Sequence, residues 1–211
     1  EYAKGSPEDL LIRITAWNRG PETAALHLLP TLWFRNTWAE WSEGAPKPSL
    51  SAVDLPGGAG AVEAEHAELG TRYLYCDGEP ALLFTENETN NERIFGSASA
   101  TPYVKDAFHE LVVGGRGDAV NPDRVGTKAA ARYLLEIPPG ESRSVRLRLS
   151  DVSPPALPKS MKSPAPFKGF DGIFADRLRE ADIFYDSITP PSVEKDGRRV
   201  MRQALAGMLW G

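Results

Sequence analysis

The stretch Thr127–Asp151, TKAAARYLLEIPPGESRSVRLRLSD, decides the fold. Ala131, Tyr133, Leu135 and Ile137 recur at every second position, as do Val145, Leu147 and Leu149. A period of two belongs to a strand with one face turned to a core. Between the two runs, Pro138-Pro139-Gly140-Glu141 supplies a turn, because proline presets φ and glycine takes left-handed geometry freely. The pair therefore reads as an antiparallel hairpin, with Arg146 and Arg148 projecting outward from the core face.

The same pattern extends to both sides. Asp9–Asn18 puts Leu10, Ile12, Ile14 and Ala16 on one face, and Asn18-Arg19-Gly20-Pro21 then reads as a turn into the next strand. That next strand is Leu26–Trp41, LHLLPTLWFRNTWAEW, so a second hairpin is expected. Pro30 cannot donate to a ladder, which implies a bulge or an edge position there. Thr71–Cys76 and Ala81–Glu86, either side of Asp77-Gly78-Glu79-Pro80, give a third hairpin. Ala61–Leu69 and Ala107–Val113 complete the expected strands. Gly44–Gly60, Asn87–Ile94 and Gly114–Gly126 read as loops. The fold class is mainly β and antiparallel.

After residue 152 the composition shifts. Ser153–Pro166 is proline-rich and reads as a linker. Beyond it the period becomes about 3.6. Phe174, Leu178, Ala181, Tyr185 and Ile188 share one helical face, with Asp171 as an N-cap candidate. Thr189-Pro190-Pro191-Ser192 ends that helix. A second apolar stripe follows through Val193, Val200, Met201, Ala204, Leu205, Met208 and Leu209, and it runs to the last residues as if cut from a longer element. The expected division is 1–152 for the β domain, 153–170 for the linker and 171–211 for the helices.

The totals exclude some functions. Net charge is −5 with no basic stripe, which disfavours a nucleic-acid surface. No apolar run approaches the roughly 20 residues of a membrane-spanning helix. Cys76 is the sole cysteine, so no internal disulfide can form, and a buried, inert thiol is expected. With no leader visible, a cytoplasmic location is expected. No cofactor and no metal site is expected. Asp118, Asn121 and Asp123 lack the spacing and closing glutamate of a calcium loop.

Three of the five tryptophans, Trp33, Trp38 and Trp41, lie in the Leu26–Trp41 stretch beside Arg35 and Asn36. Flat rings next to polar groups can stack on a sugar while the polar groups bond its hydroxyls, or can clamp two sheets. On a strand, 33, 35 and 37 share one face and 34, 36 and 38 the other. Glu86, Asn87 and Glu88 open a dense polar cluster, in which Glu86 and Glu88 face the same way if the backbone is extended. Such a pair can share a proton for acid/base work, or can belong to a solvated loop. Asn87-Glu88-Thr89 also matches a glycosylation sequon, and Arg116-Gly117-Asp118 spells an adhesion tripeptide read here as a turn. His27, His66 and His109 all fall in expected strands and read as structural.

The segments LHLLPTLWFRNTW (26–38), ENETNNERIFG (86–96), VKDAFHELVV (104–113), EIPPGESRSVRLRLSD (136–151) and VMRQALAGMLWG (200–211), in this order, resemble bacterial members of glycoside hydrolase family 63. Those enzymes are relatives of the processing α-glucosidase that trims N-glycan precursors. The resemblance implies a galactose mutarotase-like β-supersandwich joined by helices to an (α/α)6 barrel. In that family both catalytic carboxylates lie on the barrel and hydrolyse with inversion. It implies that no Asp or Glu here is catalytic, and that this chain scaffolds and docks an absent barrel. Trp33, Arg35, Asn36, Trp38, Glu86, Asn87 and Glu88 are the candidate residues for one wall of a sugar pocket. The implied partners are that barrel and an oligosaccharide or glucoside substrate, with neither nucleic acid nor membrane. A free-standing carbohydrate-binding module is a second expectation. A mutarotase-like epimerase, with His66 or His109 beside a carboxylate, is a third.

Overall fold

The computed structural model describes residues 1–38, 46–55, 60–154 and 165–210. Trp41, the middle of the expected linker and parts of the expected Gly44–Gly60 loop lie outside the described residues. The chain divides into two compact units, Glu1–Lys168 and Gly169–Gly211.

The first unit is mainly β, and every strand pairing in it is antiparallel, consistent with a β-sandwich. Its strands are β1 (Tyr2–Ser6), β2 (Asp9–Trp17), β3 (Ala24–Leu28), β4 (Thr31–Trp33), β5 (Ser49–Asp54), β6 (Gly60–His66), β7 (Gly70–Cys76), β8 (Ala81–Thr85), β9 (Val125–Gly126), β10 (Lys128–Ile137) and β11 (Ser142–Ser150). Among the described residues the larger sheet runs β1-β2-β11-β7-β6-β5-β9. In the smaller one, β3 and β4 lie end to end along one side of β10, and β8 takes the other. Leu50, Val62, Leu74, Cys76 and Leu147 of the larger sheet meet Phe84, Ala129 and Ala131 of the smaller one in a shared core. The Cys76 thiol is buried there, and burial pushes its pKa up to about 12, which leaves it protonated and inert.

The strands form largely where the alternation predicts, but three of the turns do a different job. β10 and β11 are not a hairpin: β10 pairs with β3, β4 and β8, and β11 with β2 and β7. β2 does not pair with β3, nor β7 with β8. At Asn18–Pro21, Asp77–Pro80 and Pro138–Glu141 the chain crosses from one sheet to the other. The reason is physical: a reversal within a sheet and a crossing between facing sheets present the same alternation, since both keep one face of each strand inward. The hairpins that do form are β1–β2, β5–β6 and β6–β7.

Two other expectations change. Ala107–Val113 is not a strand but a helix, Ala107–Val112. Ala107, Phe108 and Leu111 fit one helical face, and Phe108 and Leu111 pack on Leu83 and Ala130 on the outer side of the smaller sheet. Ser49–Asp54, inside the expected loop, is the strand β5, with Leu50 fully buried. Pro30 takes the edge position, one of the two expected for it, without a bulge: among the described residues β3 and β4 pair only with β10. β3 and β4 hold a single register on β10, and the Ala131 amide donates to the Pro30 carbonyl at 3.1 Å; proline lacks only the return bond.

Arg146 and Arg148 do face away from the core, yet both are engaged. Arg148 grips Asp9 with two bonds of 2.7 and 2.6 Å and donates to the Pro166 carbonyl at 2.7 Å. Arg146 pairs with Asp77 at 2.6 Å and lies over the Phe167 ring.

Numbering the helices in chain order, α1 is Asn91–Phe95, α2 is Ala107–Val112, α3 is Phe170–Ile188 and α4 is Lys195–Trp210. The last two make up the second unit. Gly169, at a φ of 73°, holds the N-cap position of α3; Asp171 sits instead in the first turn, where its charge favours the helix start. Asp186 pairs with Arg198 and Asp182 with Arg202, while Arg202 also lies over the Tyr185 ring. No described helix is long and apolar enough to cross a membrane.

Gly126 marks where the chain leaves β9 for β10. A Cβ there would run into the backbone carbonyl of Thr85. Gly126→Ala is expected to lower stability by about 1–3 kcal/mol, the usual cost of overpacking. Urea unfolding measures it, and an unchanged midpoint would mean that the two backbones are not held in this contact.

Candidate functional site

β4 and β8 flank β10, with Trp33 opposite Lys128 and Lys128 opposite Thr85. One residue further, Phe34 and Glu86 therefore flank Thr127. This register builds the site. The fully buried Thr127 hydroxyl donates to Glu86 Oε2 at 2.6 Å and accepts the Asn87 amide at 2.8 Å. The Phe34 amide donates to the Thr127 carbonyl at 3.1 Å, and the Asn87 side chain returns a bond to the Phe34 carbonyl at 2.8 Å. The ends of β4 and β8 are thus tied through Thr127 and Asn87. On its core side the Phe34 ring stacks on His66, with centroids 5.4 Å apart.

Past Trp33 the strand pairing stops, but the alternation of exposure continues to Trp38. Phe34, Asn36 and Trp38 turn inward while Trp33, Arg35 and Thr37 are exposed. The candidates therefore separate. Asn36, Trp38, Asn87 and Glu88 line one open cleft of about 900 Å³. Trp33 and Arg35 lie outside it, so the structure does not bring them to the wall for which they were candidates.

The Trp38 indole donates to Glu88 Oε1 at 3.1 Å. Lys47 Nζ stands between the two carboxylates, 3.2 Å from Glu86 and 3.3 Å from Glu88, and 6.0 Å above the Trp38 ring. The ammonium thus bridges the two carboxylates and holds them in place. The arrangement is suited to holding fixed acceptors.

The cleft also contains groups that the sequence did not single out. Lys105 binds the Thr89 hydroxyl at 3.3 Å, and its amide donates to the Glu88 carbonyl at 3.0 Å. Phe95, at the end of α1, lines the cleft and is 71% exposed. The signal for Phe95 was an aromatic closing the polar run Glu86–Arg93. Lys47 carried none, as a lone cation between prolines.

A second cleft of about 500 Å³, sharing Ser99 with the first, is lined by Asn90, Arg93, Asp106, Glu110 and Arg116 among others. Asp106 receives Asn90 at 3.2 Å and Arg93 at 3.0 Å. Burial pushes its pKa upward, but these donors outweigh that and hold the carboxyl below the usual carboxylate range.

The remaining motifs have local roles. The Asn87 amide of the sequon is spent on Phe34. Arg116 pairs with Asp118 at 3.4 Å, and Asn121 caps the turn to Asp123 and Val125. His27 accepts from Arg132, His66 accepts the Glu68 and Leu69 amides, and His109 sits in α2 rather than on a strand. Among the described residues none of the three histidines bonds a carboxylate, the pairing an epimerase needs. No cluster of three potential metal ligands occurs among the described residues either.

Because the Asp106 pKa is lowered on folding, the stability it gives is present above the unfolded value, near 3.9, and is lost as pH falls through the folded one. Asp106→Asn is expected to cost about 1–2 kcal/mol at pH 7, discounted for the exposure of Arg93, and less at pH 2. Denaturant unfolding at both pH values checks this; an equal cost at both would assign the loss to packing instead of charge.

No protein-family model matches the sequence. The chain is similar to the uncharacterized protein YMR196W of Saccharomyces cerevisiae, with 35% identity over 232 aligned residues. The alignment takes in 97% of this chain and 21% of the yeast protein, so the chain spans about a fifth of the length of that relative.

Proposed function

We propose that this chain is a non-catalytic supporting domain of a glycoside hydrolase resembling family 63. In this reading the β-sandwich is a galactose mutarotase-like supersandwich. α3 and α4 lead to an (α/α)6 barrel, which carries the two acids of an inverting mechanism and cleaves an α-linked glucoside. The sandwich supplies a docking surface and one side of the sugar pocket.

One observation carries most of the weight: the second unit leaves many of its large apolar residues open. Leu178, Ile183, Phe184 and Ile188 on α3, and Val200, Met208 and Leu209 on α4, are all substantially exposed. Exposed apolar surface on this scale marks a place where another surface rests. The ordered set of family-like segments supports the same reading, as does alignment to a relative of much greater length. The ion-bridged Glu86 and Glu88 fit a supporting role, because Lys47 of the same domain holds both.

The test compares two proteins on one α-glucoside and oligosaccharide panel: this 211-residue chain, and a longer natural protein that contains its counterpart. Hydrolysis by the longer protein and none above buffer by this chain is the expected result. Turnover by the chain alone, or inactivity of the longer protein on every glycoside, would defeat the proposal.

A further inference from the structure

The cleft between the Phe34–Trp38 segment and the Glu86–Lys105 region has a chemistry that specifies its ligand more closely than a supporting role requires. We infer that it is a binding site for an uncharged saccharide, held against Trp38 and Phe95 and bonded by Asn36, Glu88, Asn91 and Lys105. This rests on the glycosidase reading for the source of the sugar. The choice of ligand class comes from the cleft itself.

Four features point the same way. The volume, about 900 Å³, lies within the range of roughly 300–1,000 Å³ typical of small-molecule sites. The lining pairs two aromatic rings with amides, two hydroxyls, a carboxylate and an ammonium. A sugar ring presents that same mixture: C–H faces for the rings, and hydroxyls that both donate and accept. Glu88 is pre-set as an acceptor, since Trp38 and Lys47 both hold its Oε1. Its other oxygen enters into neither bond. The charges also balance locally, with Glu86 and Glu88 against Lys47 and Lys105, so the cleft offers no net attraction to an anionic ligand.

Phe95 is the most informative residue. It ends a five-residue helix that buries nothing, and its ring stands 71% exposed on the wall of a polar cleft. A packing role does not account for that position, and a stacking role does.

The experiment is an amide-resolved NMR titration of the full chain with maltotriose and maltoheptaose, and with glucose 6-phosphate and glucuronate as anionic counterparts. Shifts at the Trp38 indole N–H and at Asn36, Asn91 and Lys105 with the neutral sugars are expected. Phe95→Ala should weaken binding about tenfold, the scale of one lost stacking contact. Trp33→Ala, outside the cleft, should leave it unchanged and keep the comparison free of folding effects. Silence at these positions, an unaltered affinity in Phe95→Ala, or preference for the anionic sugars would each overturn the inference. The outcome separates from that of the glycosidase proposal. A hydrolytic longer protein with a silent cleft would remove only the site; sugar shifts beside an inactive longer protein would remove only the parent activity.

Discussion

The side chain of Asn18 holds the first unit to its topology. Its amide donates to the Glu22 carbonyl and to the Ile137 carbonyl, both at 2.7 Å, and its side-chain oxygen accepts the Gly20 amide at 2.9 Å. Its backbone accepts from Gly140 and donates to Glu141. One residue thus satisfies two crossings between the sheets at once, the one after β2 and the one after β10. A chain leaving a sheet abandons the ladder that satisfied its backbone, and each orphaned group must find a partner or face water. Asparagine is suited to this because it both donates and accepts, on a side chain short enough to stay beside its own backbone. At the third crossing, Asp77 serves in the same way: its amide donates to the Arg146 carbonyl, its carboxylate pairs with Arg146, and its carbonyl accepts the Tyr133 hydroxyl at 2.9 Å.

The candidate site follows from that topology. β10 lies between β4 and β8 only because the crossings send β3 and β8 into the smaller sheet. Its first turn of chain, Gly126-Thr127, then slips past Thr85 where there is no room for a side chain. That close approach brings the Thr127 hydroxyl to both Glu86 and the Asn87 amide. Glu86 and Asn87 set the direction of Glu88, and Glu88 in turn fixes Trp38. The wall of the cleft is therefore a consequence of strand order, and a sequence read one strand at a time does not contain it.

Much of the fold was nonetheless legible. The period of two located most of the strands, because burial of one face is a local property of each. The change to 3.6 found α3 and α4. Partner choice was not legible, since Asn18–Pro21 and Pro138–Glu141 carry turn chemistry that serves a hairpin and a crossing equally well. Ala107–Val112 misled because its seven-residue neighbourhood fits both periods, and two valines tipped the reading toward a strand. Ser49–Asp54 was hidden by the prolines and glycines on either side. At the site, Asn36, Trp38, Asn87 and Glu88 were found by residue type, and the structure brings them together. Trp33 and Arg35 were chosen by the same criterion and fall on the opposite side, as alternation along an extended chain requires. Lys47 and Thr127 were beyond reach, because their importance lies wholly in what stands next to them.

The second unit joins its helix pair partly through charge. Helices commonly meet through their apolar faces and show charge to water. Here Asp186–Arg198 and Asp182–Arg202 link α3 and α4, Arg202 lies over the Tyr185 ring, and many large apolar side chains are open. Exposed pairs of that kind contribute about 0.2–1 kcal/mol each. Helices of 19 and 16 residues are close to the length, about 12–15, at which an isolated helix is marginal in water. Ion pairs of this size orient two helices but do little to stabilise them. The energy that would normally come from burying Leu178, Phe184, Met208 and Leu209 is left unrealised within the second unit. It becomes available when a further apolar surface covers them, and at about 25 cal/mol per Å² even a few side chains would outweigh the ion pairs. The charged seam keeps the two helices in register with each other.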